Sequence, residues 1–412
     1  MRVDIVTKEY PPEIYGGAGV HVAELVKAMR GDASSRLGSL RTSASPGLDV
    51  RVRAFGAERD EEGTSSYTVP AELASANPAI QTLGTDLAIV SDIAGADIVH
   101  SHTWYANFAG HVASLLHGIP HVITAHSLEP LRPWKAEQLG GGYAVSSFIE
   151  RSAYAAAAAI VAVSDGMRSD ILRSYPELDP RKVRVIYNGI DVEAWHPVDD
   201  PAVLARHGID PARPSVVFVG RITRQKGLPY FLRAAERLPA DVQLVLCAGA
   251  PDTPQIMAEV QELVRGLQAN REGVVWIEEF LPRHELCTIL GAATTFVCPS
   301  IYEPLGIVNL EAMACGAAVV ATATGGIPEV VVDGVTGRLV PIDQADDGTG
   351  TPHDPERFVA DLAAALTEVV MDREAAERYG RAGRERAARD FSWATIAEQT
   401  AALYAELTAS GK

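Results

Sequence analysis

The chain has 412 residues, 47% of them apolar and 22% charged, with a formal net charge of −17. This is the composition of an ordinary globular protein, long enough for two or three domains. The acid excess argues against a nucleic-acid binder, which needs a basic face for phosphates. Four cysteines, Cys247, Cys287, Cys298 and Cys315, fall in the second half without a C-x-x-C pair. They suit reduced, buried positions better than a zinc site or a disulfide framework. The longest apolar run, Ala153 to Val163, is too short to span a bilayer, and Asp4 interrupts the start that a signal peptide would need. The expectation is a cytoplasmic protein without a membrane partner.

In chain order, short β-branched runs alternate with amphipathic stretches. Val3–Thr7 is the first predicted strand, and Val22, Leu25, Val26 and Met29 after it share one helical face. Gly31–Pro46 is rich in Ser, Gly and Arg and reads as a solvated loop or disordered insertion. Strands follow at Ile98–His102, His121–Thr124, Ile160–Val163 and Val183–Tyr187. Two prolines and two acids in Trp195-His196-Pro197-Val198-Asp199-Asp200-Pro201 then end the alternation. It resumes with strands at Val216–Val219, Val242–Cys247, Val274–Ile277, Thr295–Cys298 and Ala318–Ala321. Gln344–His353 reads as another loop, and the last 60 or so residues as helical, interrupted near Asp390-Phe391-Ser392. Strand–helix alternation predicts an α/β protein of two doubly wound, Rossmann-like domains. The expected boundaries are 1–196 and 197–390, with 391–412 as a terminal helix. Such sheets bind ligands at the carboxyl ends of their strands, so two of them would face a central cleft.

Several familiar chemistries are absent. There is no G-x-x-x-x-G-K-[ST], no H-E-x-x-H and no G-x-S-x-G. Nor is there an Asp-x-Asp pair to hold the metal of a nucleotide diphosphate, so cations and helix ends would have to neutralise one. Four constellations remain. Gly16-Gly17-Ala18-Gly19-Val20-His21 follows the first strand and opens a helix, which suits either an anion or a tight turn. His100, His102 and His126 gather at two strand ends; without an acid or thiol at ligand spacing they make a poor metal site. His100 reads as structural, and His126, just past its strand, as the functional one. Gly220-Arg221-Ile222-Thr223-Arg224-Gln225-Lys226-Gly227 places three cations at a strand's carboxyl end, where Arg221 and Lys226 suit a diphosphate better than a plain surface loop. Finally, Pro299 to Glu311 leads from a strand into a helix start, with Glu303 and Glu311 able to grip hydroxyls beside that cationic loop.

At these residues the chain resembles the retaining GT-B glycosyltransferases. Glu303 and Glu311 stand at the spacing of that family's paired glutamates, and the likeness continues through Glu311-Ala312-Met313-Ala314-Cys315-Gly316 and Gly325-Gly326-Ile327-Pro328-Glu329. Gly220-Arg221 with Lys226-Gly227 matches its diphosphate pair, and Tyr187-Asn188-Gly189-Ile190-Asp191 is a further hallmark. The likeness covers essentially the whole chain. Within the superfamily it resembles the actinobacterial, glycogen synthase-like enzymes that use ADP-glucose. That resemblance rests on Glu9–Gly19, on His100-Ser101-His102-Thr103-Trp104-Tyr105, and on Ala125-His126-Ser127-Leu128-Glu129-Pro130-Leu131-Arg132-Pro133-Trp134. It implies transfer of glucose from ADP-glucose to glucose 1-phosphate, forming α-maltose 1-phosphate, with no metal and no other cofactor. Polymer-elongating synthases carry Lys-x-Gly-Gly where this chain has Ile14 for the lysine.

The resemblance further implies roles. Arg221 and Lys226 hold the diphosphate with the amides of Leu305, Gly306 and Ile307. Glu303 binds the donor glucose, Glu311 the ribose and His126 the 6-hydroxyl region. The loop of Gly16, Gly17 and Gly19 closes over the diphosphate, and the terminal helix returns to the first domain. An acceptor phosphate needs its own cations, for which Arg132 and Lys135 are the candidates, with Tyr105 nearby. Three other readings stay open: glycogen elongation from ADP-glucose, a GT-B nucleotide-sugar epimerase, and a non-catalytic nucleotide-sugar sensor. Monomer and homodimer are equally compatible with the sequence.

Overall fold

The computed structural model describes residues 1–14, 16–31, 47–132, 140–345 and 349–410. The bulk of the sequence-predicted Gly31–Pro46 loop and Lys135 lie outside the described residues. The strands are β1 (Arg2–Thr7), β2 (Asp49–Phe55), β3 (Thr64–Tyr67), β4 (Ile98–His102), β5 (His121–Ala125), β6 (Ala159–Ala162) and β7 (Val183–Val185). After them come β8 (Ser215–Arg221), β9 (Gln243–Gly249), β10 (Val274–Ile277), β11 (Thr295–Cys298), β12 (Ala318–Thr322) and β13 (Gly337–Val340). They form a 7-stranded sheet in the order β3-β2-β1-β4-β5-β6-β7 and a 6-stranded sheet in the order β10-β9-β8-β11-β12-β13. Every pairing within both is parallel. β5, β6 and β12 are buried along their whole length, as largely apolar runs demand when helices cover both faces.

Three strands escaped the sequence reading. β2 carries Arg51 and Arg53 inside its apolar run, which hides the pattern. Arg53 is nevertheless buried, because its Nε reaches Oδ2 of the fully buried Asp4 at 3.1 Å. β3 is polar and half-buried at one sheet edge, and β13 is a four-residue strand at another. Gln344, in the second predicted loop, is also better organised than expected: its Nε2 donates to the Ile301 carbonyl at 2.6 Å.

The chain divides into two compact units, Met1–Gly189 with Trp393–Lys412, and Ile190–Ser392. The division falls earlier than the expected break after residue 196. The carbonyls of Ala194 and His196 accept from Cys287 Sγ at 3.7 Å and Cys315 Sγ at 3.8 Å, which ties this segment into the second unit. In the first unit, the helix Trp393–Ser410 contributes Trp393 and Tyr404 to the same core as β1, β2 and the helix Gly17–Arg30. Gly189 shows why this packing needs a glycine, since a Cβ there would lie 2.5 Å from Trp393 Cδ2. No helix among the described residues is long and apolar enough to cross a membrane.

Candidate active site

Each sheet winds outward from a central strand and then jumps back across it. The reversal falls between β1 and β4 in the first unit and between β8 and β11 in the second. Loops leaving the carboxyl ends of those strands form the crevice in which such sheets hold ligands. In the second unit these loops carry Arg221, Lys226 and Glu303, and the structure brings the last two into contact. Lys226 Nζ lies 2.6 Å from Glu303 Oε2, which also accepts from Ser300 Oγ at 3.2 Å. Burial opposes the Lys226 charge, but Glu303, Cys298 and Glu311 together outweigh it and the ammonium titrates above the usual lysine range. Arg221 points a half-exposed guanidinium from the end of β8, paired with Asp252 at 2.7 Å.

Backbone contacts fix these side chains. The Ile301 N–H donates to the Gln225 carbonyl at 2.9 Å, joining the two loops, and Thr223 Oγ1 caps the turn at the Lys226 N–H, 3.3 Å away. Gly325, at φ +53°, packs directly on the Glu303 carbonyl, which accepts from the Gly326 N–H at 3.0 Å. Gly306, at φ +92°, starts the helix Ile307–Ala314 without a side-chain cap. The N–H groups of Leu305, Gly306 and Ile307 have no protein acceptor among the described residues, so this helix start can receive an anion. Asn309 was missed by sequence reasoning. It is fully buried beside Gly306, and neither polar atom of its side chain has a partner among the described residues. Glu311 lies on the same helix, half-buried. Burial pushes its carboxyl up to about 8, against the pull of Arg283 and Lys226, so at neutral pH it keeps its proton and can donate as well as accept.

In the first unit, His126 lies just past β5 and its Nε2 is 3.0 Å from His102 Nδ1. The third ring of the group is His21, which the sequence offered only as the end of the glycine motif. Its centroid is 4.8 Å from that of His126, and its Nδ1 is 2.6 Å from Asn188 Oδ1. Ligand atoms of His21, His102 and His126 all lie within 4.8 Å of one another, near enough to accommodate a cation, and no carboxylate or thiol joins them among the described residues. Burial holds all three rings neutral, His21 down to about 4. His100 packs its ring against His102, with centroids 4.3 Å apart, but both its nitrogens are engaged elsewhere, by Tyr404 Oη at 2.6 Å and Thr124 Oγ1 at 2.7 Å, as for a structural histidine. The glycine loop is occupied by the chain's own acid: the Gly16 N–H donates to Glu9 Oε2 at 2.9 Å, and Gly19 makes room for the Glu9 side chain. Gly17 begins the helix. Tyr105 follows β4 with Lys8 over its ring, and Arg132 Nη1 reaches Ser127 Oγ at 3.1 Å.

Two parallel-sheet, Rossmann-like units, one with an anion-ready helix start beside a Lys–Glu pair, define a glycosyltransferase of GT-B type. Residues 15–194 match the model of Glycosyltransferase Family 4 and residues 213–368 that of Glycosyl transferases group 1. The chain belongs to this glycosyltransferase family. It is 55% identical over 412 residues to an alpha-maltose-1-phosphate synthase of Mycolicibacterium smegmatis, covering 99% of this chain and 100% of the relative. A glycogen synthase of Mycobacterium tuberculosis is more distant, at 30% identity over 98% of this chain and 94% of its own. Among solved structures, the sucrose-phosphate synthase of Thermosynechococcus elongatus superposes with a TM-score of 0.76 at 22% identity, covering 99% of each chain. The catalytic domain of starch synthase IV from Arabidopsis thaliana, bound to ADP and acarbose, gives 0.74 at 18% identity, again over 99% of each chain.

Proposed function

We propose that this chain is a retaining, metal-independent glucosyltransferase that moves glucose from ADP-glucose to glucose 1-phosphate, releasing ADP and forming α-maltose 1-phosphate. The observation that carries the substrate choice is the 55% identity, end to end, to a relative named for that product. The chemistry is supported by the second unit, whose strand-end loops carry Arg221, Lys226 and the N–H groups of Leu305, Gly306 and Ile307, which have no protein acceptor among the described residues.

In the transfer, the bond between glucose C1 and the diphosphate oxygen breaks and both electrons leave with ADP. Fixed donors that face this oxygen stabilise the growing charge more than they stabilise the bound substrate, which lowers the barrier. A new bond forms between C1 and the acceptor 4-hydroxyl on the face that ADP leaves, and the hydroxyl proton passes to the departing phosphate. Glu303 accepts from donor glucose hydroxyls, and Ser300 keeps its second contact satisfied. Protonated Glu311 donates to a ribose oxygen. His126, neutral and hydrogen-bonded to His102, is a partner for the 6-hydroxyl. The Gly16 N–H of the Gly16, Gly17 and Gly19 loop can receive an anion only when Glu9 releases it. Tyr105 and Arg132 belong to the acceptor side. Both substrates are charged phosphates that a membrane retains, so the reaction is assigned to the cytoplasm.

ADP release measured with each donor and acceptor in turn tests the reading. Turnover is expected with ADP-glucose and glucose 1-phosphate together, and the product is expected to keep the α configuration in an NMR spectrum. Activity on glycogen alone refutes the acceptor, turnover of donor without acceptor favours epimerisation, and activity that vanishes with EDTA and returns with a divalent ion refutes metal independence.

A further inference from the structure

Lys8 is the first residue beyond β1, and Tyr105 sits in the first turn of the helix Trp104–His117 that follows β4. β1 and β4 are neighbours at the reversal point of the 7-stranded sheet, where a ligand is expected. The Lys8 ammonium stands over the Tyr105 ring, 3.8 Å from its centroid. No carboxylate pairs with it among the described residues, and Glu9 beside it in sequence turns Oε2 to the Gly16 N–H instead. Burial holds the ammonium below the usual lysine range, against the attraction of Glu9. Arg132 acts on the Tyr105 hydroxyl against the stronger pull of Glu129, its Nη1 donates to Ser127 Oγ at 3.1 Å, and its buried Nε–H has no partner among the described residues. In a chain of net charge −17, Lys8 and Arg132 thus stand near Tyr105 at the ligand-binding edge of a sheet without an ion pair among the described residues, with Glu129 and Glu9 also acting on that hydroxyl.

The geometry points to Lys8 as a phosphate-binding residue of the acceptor subsite, where a sugar phosphate monoester lies against the Lys8 ammonium, the Arg132 Nε–H and the edge of Tyr105. This inference rests on the phosphate-acceptor reading above and adds the residue that recognises it. The ring keeps the flexible lysine stem in place before substrate arrives, so less rotamer freedom is lost on binding. A cation over a ring still has donors to spare, and a phosphate dianion forms stronger, charge-assisted hydrogen bonds than the ring does.

Steady-state kinetics of Lys8→Gln and Lys8→Arg test the assignment, with glucose 1-phosphate and ADP-glucose varied separately. Lys8→Gln is expected to raise the KM for glucose 1-phosphate about tenfold or more, as for loss of one charged hydrogen bond, with the ADP-glucose KM and the melting temperature unchanged. Lys8→Arg is expected to restore most of it. An unchanged acceptor KM in active Lys8→Gln overturns the role of Lys8 alone, as does a rise in both KM values together. Should Lys8→Gln not fold, Arg132→Gln is read in its place and is expected to raise the same KM; no rise overturns the shared phosphate site. Wild-type protein that elongates glycogen but ignores glucose 1-phosphate overturns the acceptor reading itself.

Discussion

Lys226 and Glu303 meet at 2.6 Å, so the cation is held in place by an acid that is itself assigned to the sugar. In the proposed transfer, the lysine's spare hydrogens are what the diphosphate uses. Lys226→Ala is expected to lower kcat about a hundredfold or more, the usual cost of removing a donor to developing negative charge, with a smaller change in the acceptor KM. Near-normal turnover in a steady-state assay would remove the leaving-group argument. Glu311 supplies a second residue-scale test. Its carboxyl keeps a proton up to about 8 in the folded state, against an ordinary 4.5. Between those values the folded protein binds more protons than the unfolded chain, so stability falls as pH rises from about 4.5 to about 8 and the loss is complete above that. Denaturation at a series of pH values should show this slope in the parent and a flatter one in Glu311→Gln. Both glutamates and both cations were legible in the sequence as spaced polar residues after strands. Their mutual contact was not, because residues 226 and 303 lie on loops from strands separated by two intervening strands in sequence.

The loops after β8 and β11 act as one element, cross-linked by the Ile301 N–H to Gln225 carbonyl bond and supported from beneath by Gly325. Gly325→Ala is therefore expected to do two things. The side chain strains a residue at φ +53°, at a cost of about 1 kcal/mol or more, and it collides with the Glu303 carbonyl, displacing the acid from Lys226. Gly334→Ala is the control: its φ is +71°, yet a Cβ there meets nothing within 4 Å. Both variants should lose stability in a thermal melt, and only Gly325→Ala should also raise the ADP-glucose KM. Equal KM values in the two would show that the glycine turn serves folding alone. Element-scale reading of the sequence recovered ten strands because parallel, doubly covered strands are apolar runs. β2, β3 and β13 were lost because a buried Arg–Asp pair, a polar edge and a short edge leave no such run.

At the scale of the molecule, the two units differ in how they meet acid. The first buries His21, His100, His102, His121 and His126 as neutral rings, with His21 held down to about 4 and His121 to about 3. A histidine depressed in the folded state lets the unfolded chain bind extra protons once pH drops below its ordinary 6.5, so stability is present above that and is lost as pH falls toward 4. Hydrogen exchange is expected to show protection in β4 and β5 falling steeply between pH 6.5 and 5, with β8 and β11 less affected. Equal loss in both sheets would show that the histidines do not set the acid limit. ADP at about 100 times its Kd should add about 2.7 kcal/mol of protection, centred on the second unit in this reading.

The alternation of ten apolar strands with helices, the paired glutamates, the cationic loop and the family likeness were determined by the sequence itself, because each is a local pattern of apolar period, turn residue or spacing. The tertiary structure alone decided that His21 joins His102 and His126, that Glu9 fills the glycine loop, that Lys8 rather than a distant cation covers Tyr105, and that Glu311 keeps its proton. These depend on which side chains meet across strands and how much water they lose on meeting, and neither quantity is written in any local stretch of residues.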